Sequence, residues 1–378
     1  MNGTSEEWAR WEAASGFKRR VHDLAEKHRL TPDVSAEAFL ANRRTELARE
    51  LEGKELIYLD AKHWINLRHI VVQSAQRTVV YDEMLGLLEL LRQRGRICCP
   101  VSSTLFEELM KQSDCSTRQA TAQIMDLLSG GACLQNWLDL AKAEFGRHIC
   151  QTLHVEMARE GAFPIWTRIG FWAGEHSCEF PSEPTEDRAV LKKVYIDWRW
   201  EMTCEEYQSL PDWIPTPDVF ATAWIAESEQ AKSKLAGARP TFQNLVTARR
   251  RQLLAALKDT LLPMLALCQG VPGSPDEHVR AVLDPIYEGR DPRALPSLEV
   301  VAALDAAIAL DAGRKVQAND MEDYLHAAQA LPYCDALFCD NFMAQKLRNR
   351  PLEFGKVYET EIGSRPEEIV AYLKMLTR

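Results

Sequence analysis

Between Asn319 and Asp340 the chain reads NDMEDYLHAAQALPYCDALFCD, a stretch that places four carboxylates, Asp320, Asp323, Asp335 and Asp340, on one short helix and one short strand. Carboxylates gathered in this way suit a divalent cation, because hard ions such as magnesium take oxygen ligands, keep several waters and need only a few carboxylates. Phosphodiester hydrolysis is the chemistry such a site can serve. Charge builds there on nonbridging and leaving oxygens, and two ions about 3.5–4 Å apart stabilise both the attacking and the leaving oxygen. Close carboxylates also repel one another, so at least one is expected to hold its proton above the usual carboxylate range without metal.

The elements that must position these groups can be read from the same pattern. The spacing predicts a helix opening at Asp320, with Asn319 as its cap and Glu322 at the third helical position. Asp320 and Asp323 share a face with His326, while Ala327, Ala328, Ala330 and Leu331 supply the packing side, and Pro332 follows. Ala336, Leu337, Phe338 and Cys339 read as a buried strand that delivers Asp340 at its carboxyl edge, where open α/β sheets bind ligands. The arrangement recurs upstream, where the run Leu56, Ile57, Tyr58 and Leu59 ends in Asp60 before the helix-like AKHWINLRHIV. A third run, Ile97 to Val101, leads through Ser102, Ser103 and Thr104 into LFEELM, with Glu107 and Glu108 in a first helical turn. Simpler roles stay open for single residues. An Asp after a strand also caps a helix, and a first-turn Glu also answers the helix dipole. Asp335 also suits the start of its strand or the turn after Tyr333. His326 reads as a packing or hydrogen-bonding residue rather than a ligand, because Mg2+ and Mn2+ favour oxygen.

Taken in chain order, Asp60 in IYLDAKHWINL, Glu108 in SSTLFEEL, Asp323 in NDMEDYLHAAQALPYCD and Asp340 in LFCD resemble the acidic residues of the PIN-like nuclease superfamily. The pattern NDxxDxxHxxxxLPYCDxxxxD, which includes Asn319, Asp320, His326 and Asp335, resembles a bacterial branch of that superfamily. The likeness spans about residues 54–113 and 300–375. It implies an α/β fold, a three-layer α/β/α domain with a central parallel sheet, and leaves the middle unexplained; that middle segment reads from its own spacing as a large, mostly helical insertion in the domain. The likeness also implies Mg2+ or Mn2+ as cofactor. Asp60, Asp323 and Asp340 would be direct or water-mediated ligands, Asp320 would stand beside them, and Glu108 would complete the cluster or orient the attacking water. The activity implied is that of a metal-dependent endonuclease, most often acting on RNA, and in bacteria commonly a toxin or a phage-defence effector with a regulatory partner. A DNA nuclease of the flap-processing kind shares this site logic. A catalytically silent scaffold that binds nucleic acid or protein is the rival from another class. Four retained, mutually repelling carboxylates weigh against silence.

By these readings the 378 residues divide into an N-terminal helical extension (1–53), a first part of the α/β domain (54–113), a helical insertion (114–299) and a second part of the domain (300–378). Within the insertion, Thr117 to Leu128, Leu138 to Arg159, Arg188 to Tyr207 and Phe242 to Cys268 carry helical spacing. Trp166, Trp172, Trp198, Trp200, Trp213 and Trp224 lie there too, and they suit core packing better than a platform for unpaired bases. KVYETEI reads as a last strand, with Ser364 and Glu367 forming a capping box for the final helix. A net charge of −10 argues against indiscriminate polyanion binding, so nucleic-acid contacts must be local. Lys346, Arg348 and Arg350, which follow Asp340 closely, are the candidates for substrate phosphate contacts. The clusters Lys18 to Arg20, Arg43 with Arg44, and Arg249 to Arg251 suit solvated helix faces. The ten cysteines contain no CxxC pair, and several lie in apolar strand or helix contexts that suit reduced, buried thiols; His176 with Cys178 is not read as a metal pair. No apolar leader and no run of membrane-spanning length is visible, so a cytoplasmic protein without a membrane partner is expected. Trp8, Trp11 and Phe17 are available to dock the first helices on the body or on a second subunit.

Overall fold

The computed structural model describes residues 17–154, 164–174, 185–209, 229–230, 241–268, 272–311, 314 and 317–378. Short apolar runs become the strands β1 (Glu55–Leu59), β2 (Ile97–Cys98), β3 (Val101–Ser102), β4 (Ala132–Leu134), β5 (Trp166–Arg168), β6 (Ala336–Phe338) and β7 (Glu361–Gly363). Four of them form a parallel central sheet in the order β2-β1-β6-β7. Ile57, Tyr58 and Leu59 lie in register with Ala336, Leu337 and Phe338, so the middle of this sheet joins two distant parts of the chain. The other three form a smaller sheet, β3-β4-β5, with one parallel and one antiparallel pair. The fold is therefore mixed α/β with a central parallel sheet.

Side chains alternate across the pleat, and the sheet is buried on both sides. Ile57, Leu59, Ala336 and Phe338 face a core filled by Trp64 and Leu67 of helix Ala61–Val71, by Met84 and Leu88 of helix Val79–Gln93, and by Ile369 and Leu373 of helix Pro366–Leu376. Tyr58, Leu337 and Ile362 face a second core with Val300 and Leu304 of helix Pro296–Ala309 and with Ala327 and Ala328 of helix Ala318–Ala330. Helices thus cover both faces of the sheet.

Several local boundaries differ from the sequence expectation for identifiable reasons. Ile97 to Val101 is not one strand: Pro100 has no N–H to donate to a ladder, and it separates β2 from β3, which enter different sheets. Within the mostly helical middle stretch, β4 and β5 extend the smaller sheet, β4 between helices Cys115–Ser129 and Trp137–Leu153 and β5 beyond them. Helix Ala318–Ala330 starts ahead of Asp320, since the Asp320 carboxylate turns back to accept the Gln317 N–H at 2.8 Å and makes Gln317 the cap. Pro366 occupies the first position of the last helix, which makes Arg365 the cap. Glu368 rather than Glu367 then accepts the N–H groups of Ser364 and Arg365, at 2.8 and 3.0 Å. Of KVYETEI only the final Glu361 and Ile362 are in β7, while Phe354–Val357 is a helical turn.

Around this frame, helix Cys115–Ser129 packs on helix Ala61–Val71, and helix Phe242–Ala256 lies along helix Pro296–Ala309. The latter pair is fastened by Arg250, whose guanidinium forks onto Glu299 at 2.7 and 2.8 Å. Helix Phe17–Arg29 docks on helix Thr185–Glu201, where His28 lies 2.9 Å from Asp197 and Lys193 Nζ donates to the Thr31 carbonyl at 2.7 Å. Trp172 packs with Phe106 and Tyr207, and Trp200 with Phe171, in keeping with their reading as core residues. Trp8, Trp11, Trp213, Trp224, His176 and Cys178 lie outside the described residues. Cys98, Cys99, Cys133, Cys204, Cys334 and Cys339 are buried free thiols. Among the described residues no helix is long and apolar enough to cross a membrane.

Candidate metal centre

Asp60 and Asp340 reach the same sheet edge because β1 and β6 are adjacent and parallel, and each aspartate follows the carboxyl end of its strand. The Asp60 N–H donates to the Phe338 carbonyl at 2.9 Å and ties the two exits together. Each aspartate then caps the helix that leaves the edge. Asp60 Oδ1 accepts the Ala61 N–H at 2.6 Å, and Asp340 Oδ1 accepts the N–H groups of Phe342 and Met343 at 2.6 and 3.2 Å. Both caps use one oxygen of the carboxylate, so helix capping and metal ligation are compatible roles for these residues.

Helix Ala318–Ala330 carries Asp323, His326 and Gln329 at three-residue spacing along one face. Asp60, Glu108 and His326 each offer a ligand atom within 4.8 Å of the others. His326 is 2 % exposed, and both ring nitrogens are engaged: Nδ1 lies 2.6 Å from the Tyr58 hydroxyl and Nε2 lies 3.1 Å from Glu108 Oε2. The Tyr58 hydroxyl is also 2.7 Å from Ser102 Oγ, which caps helix Ser103–Met110 by accepting the Leu105 N–H at 3.2 Å. Glu108 sits on that helix. Both it and Glu107 lie past the first turn expected for them from the sequence, because the helix already begins at Ser103, and the Glu108 carboxylate is held by His326.

Electrostatics separate Glu108, Asp323 and Asp60. Burial alone would lower the pKa of His326, but Glu108, Asp60 and Asp323 outweigh it and raise the value to about 9. The ring is then an imidazolium at neutral pH, with Nε2–H donating to Glu108 and Nδ1–H to the Tyr58 oxygen, whose own proton turns to Ser102. Burial pushes the Glu108 carboxyl up, yet the charge and hydrogen bond of His326, together with Lys111, bring it below the ordinary value. Asp323 moves the other way: burial, then the neighbouring Asp340 and Asp60, raise it to about 7. Asp60 is raised too, by burial first and then by Glu108 and Asp340 against the pull of His326. The cluster therefore carries more negative charge than its one imidazolium balances. With both nitrogens of His326 taken, the donor set left for an ion is carboxylate oxygen, which fits Mg2+ or Mn2+.

The remaining sequence candidates are engaged elsewhere. Asp320 is buried at the start of its helix, where it holds the Gln317 N–H and the Arg314 guanidinium. Asn319 is exposed in the same turn. Asp335 lies at the amino end of β6, opposite the acidic edge, and its Oδ2 accepts the Leu56 N–H at 2.7 Å. Lys346 pairs with Asp311 at 3.1 Å. Arg348 donates from Nε to the Ile362 carbonyl at 2.5 Å and lies 3.4 Å from Glu368. Arg350, 90 % exposed, is 3.5 Å from Glu353. All three basic side chains thus spend donors on the protein itself.

Four contributors were not singled out by sequence reasoning. Tyr58 and Ser102 complete the His326 relay, and Lys111 pairs with Glu322 beside Glu108. Gln329 donates to Ser103 Oγ at 2.8 Å and to the Gln135 carbonyl at 3.0 Å, and accepts from Thr104 Oγ1 at 2.8 Å. Signals for two of them are present: period two aligns Tyr58 with Asp60, and Gln329 extends the Asp323–His326 spacing in a helix otherwise rich in alanine. No protein-family model, curated protein or solved structure matches the chain.

Proposed function

We propose that the protein is a metal-dependent endonuclease built on a PIN-like three-layer α/β/α domain, hydrolysing phosphodiester bonds in RNA. The observation that carries this reading is the gathering of Asp60, Glu108, Asp323 and Asp340 around a buried histidine at the exits of two adjacent parallel strands. Asp60, Asp323 and Asp340 would hold Mg2+ or Mn2+, with Glu108 as a further ligand or neighbour. When bound, the ion supplies positive charge to the phosphoryl oxygens. The chain's own residues divide the remaining work. The capped aspartates hold fixed positions, and Glu108, kept ionised by His326, is the carboxylate placed to orient the attacking water. RNA as substrate, and a role as a toxin or phage-defence effector, follow from the sequence resemblance.

Purified wild type and Asp340→Asn are to be incubated with labelled total RNA, tRNA, single-stranded DNA and branched DNA, in manganese, magnesium or chelator. The expected outcome is RNA cleavage that needs metal and is lost in the variant. Cutting confined to branched DNA would replace RNA with a flap-type substrate. Nucleic acid that is bound but never cut, by wild type and variant alike, would replace the enzyme with a scaffold.

A further inference from the structure

A cavity of about 370 Å³ opens at the amino end of the central sheet, the end opposite Asp60 and Asp340. Its walls come from helix Trp137–Leu153, the approach to helix Pro296–Ala309, Tyr333 just before β6, and residues 357–359 just before β7. That volume lies within the roughly 300–1,000 Å³ typical of small-ligand sites. Two guanidiniums line it. Arg147 Nη2 donates to the Tyr333 hydroxyl at 3.3 Å, and Arg293 Nη2 donates to the Val357 carbonyl at 2.9 Å. A guanidinium has five N–H donors, and neither arginine forms an ion pair among the described residues.

The cavity floor is rigid. Glu144 is 1 % exposed, and its carboxylate accepts from the Ser297 N–H at 3.1 Å, from the Ser297 hydroxyl at 2.8 Å and from the Tyr333 hydroxyl. These bonds fix the Tyr333 ring, over which the Arg147 guanidinium lies 5.8 Å from the centroid. On the rim, Glu359 holds a left-handed backbone conformation (φ 60°) with an exposed side chain. Two arginines that form no ion pair among the described residues face one space from separate segments; Arg147 acts on the Glu144 carboxylate beneath it only through its field and the shared Tyr333 hydroxyl, and the remaining donors of both guanidiniums match a phosphate group. The tyrosine faces and the Glu359 acceptor match an aromatic base and its amino or ribose donors.

We infer that this cavity is a second ligand site that binds a free nucleoside phosphate, with the phosphate between Arg147 and Arg293. The inference does not depend on nuclease activity. Equilibrium dialysis of the full chain with labelled AMP, ADP, GMP or inorganic phosphate tests it, run in EDTA so that divalent metal cannot carry nucleotide to the acidic cluster. At least one nucleotide is expected to bind more tightly than inorganic phosphate, and Arg147→Gln and Arg293→Glu are each expected to weaken it by about tenfold or more. Asp323→Asn should bind as wild type does. Arg293 is exposed, so its variant keeps the fold, and an unchanged thermal melt checks this. The inference is overturned by absence of nucleotide binding, by inorganic phosphate binding equally well, or by binding that survives both arginine variants.

Discussion

His326 gives the acidic cluster a cation of its own, and its proton is linked to the stability of the fold. Its pKa rises from 6.5 to about 9 on folding, so the stability it contributes is full below about pH 6.5 and is lost as pH rises through about 9. Asp323, raised from 3.8 to about 7, acts in the same direction: its protonated form is accommodated in the fold, and the penalty on its ionised form grows as pH climbs through about 7. Asp323→Asn removes that penalty. The metal-free variant is therefore expected to melt above wild type at about pH 8, with the gap closing towards about pH 5, as calorimetry at both values would read. A variant that melts below wild type at the higher pH would mean that Asp323 is not compressed against Asp340 and Asp60. Tyr58→Phe tests the other side of the ring. Loss of the hydroxyl leaves His326 Nδ1 without its partner and is expected to cost about 1–3 kcal/mol in urea unfolding. An unchanged midpoint would remove Tyr58 from the relay.

Helix Ala318–Ala330 and helix Ser103–Met110 must hold their spacing for His326 to meet Glu108, and Gln329 is the clamp between them. Gln329→Leu keeps much of the volume but strands Ser103 Oγ, Thr104 Oγ1 and the Gln135 carbonyl in a buried site. A loss of about 2–4 kcal/mol is expected, summing partial penalties for the abandoned partners. Cleavage should fall with it even at temperatures where the variant stays folded. Full activity in a folded variant would show that the acidic cluster does not need the clamp. The elements carrying Asp60 and Asp340 are legible in sequence because their signals are local: an apolar run, then an aspartate that caps the next helix. The Asp323–His326 face is legible for the same reason. What local pattern does not carry is partner choice between distant segments. Nothing near Asp335 announces that its carboxylate will hold the Leu56 N–H, and nothing near Arg348 announces the Ile362 carbonyl. Likewise, apolar spacing around Pro100 does not reveal that the strands on either side of it enter different sheets.

At the scale of the whole molecule, the acidic cluster lies where the two ends of the α/β domain meet, so an ion bound there fastens β1 and its helices to β6 and its helices. Binding to the folded state alone stabilises by mass action, about 2.7 kcal/mol at a hundredfold excess over the dissociation constant. On the proposed reading protons and a metal ion would compete for the same cluster, since Asp323 keeps its proton until about pH 7 and His326 until about pH 9. The metal-free protein is therefore expected to lose stability with rising pH while the affinity for a metal at this cluster would increase. The shift in melting temperature between saturating Mn2+ or Mg2+ and EDTA is expected to widen from about pH 6 to about pH 8.5, and to vanish in Asp60→Asn and Asp340→Asn. A shift that stays flat with pH would place the ion away from Asp323 and His326. A shift that persists in both aspartate variants would place it away from the strand exits, and the nuclease reading would lose the site on which it rests.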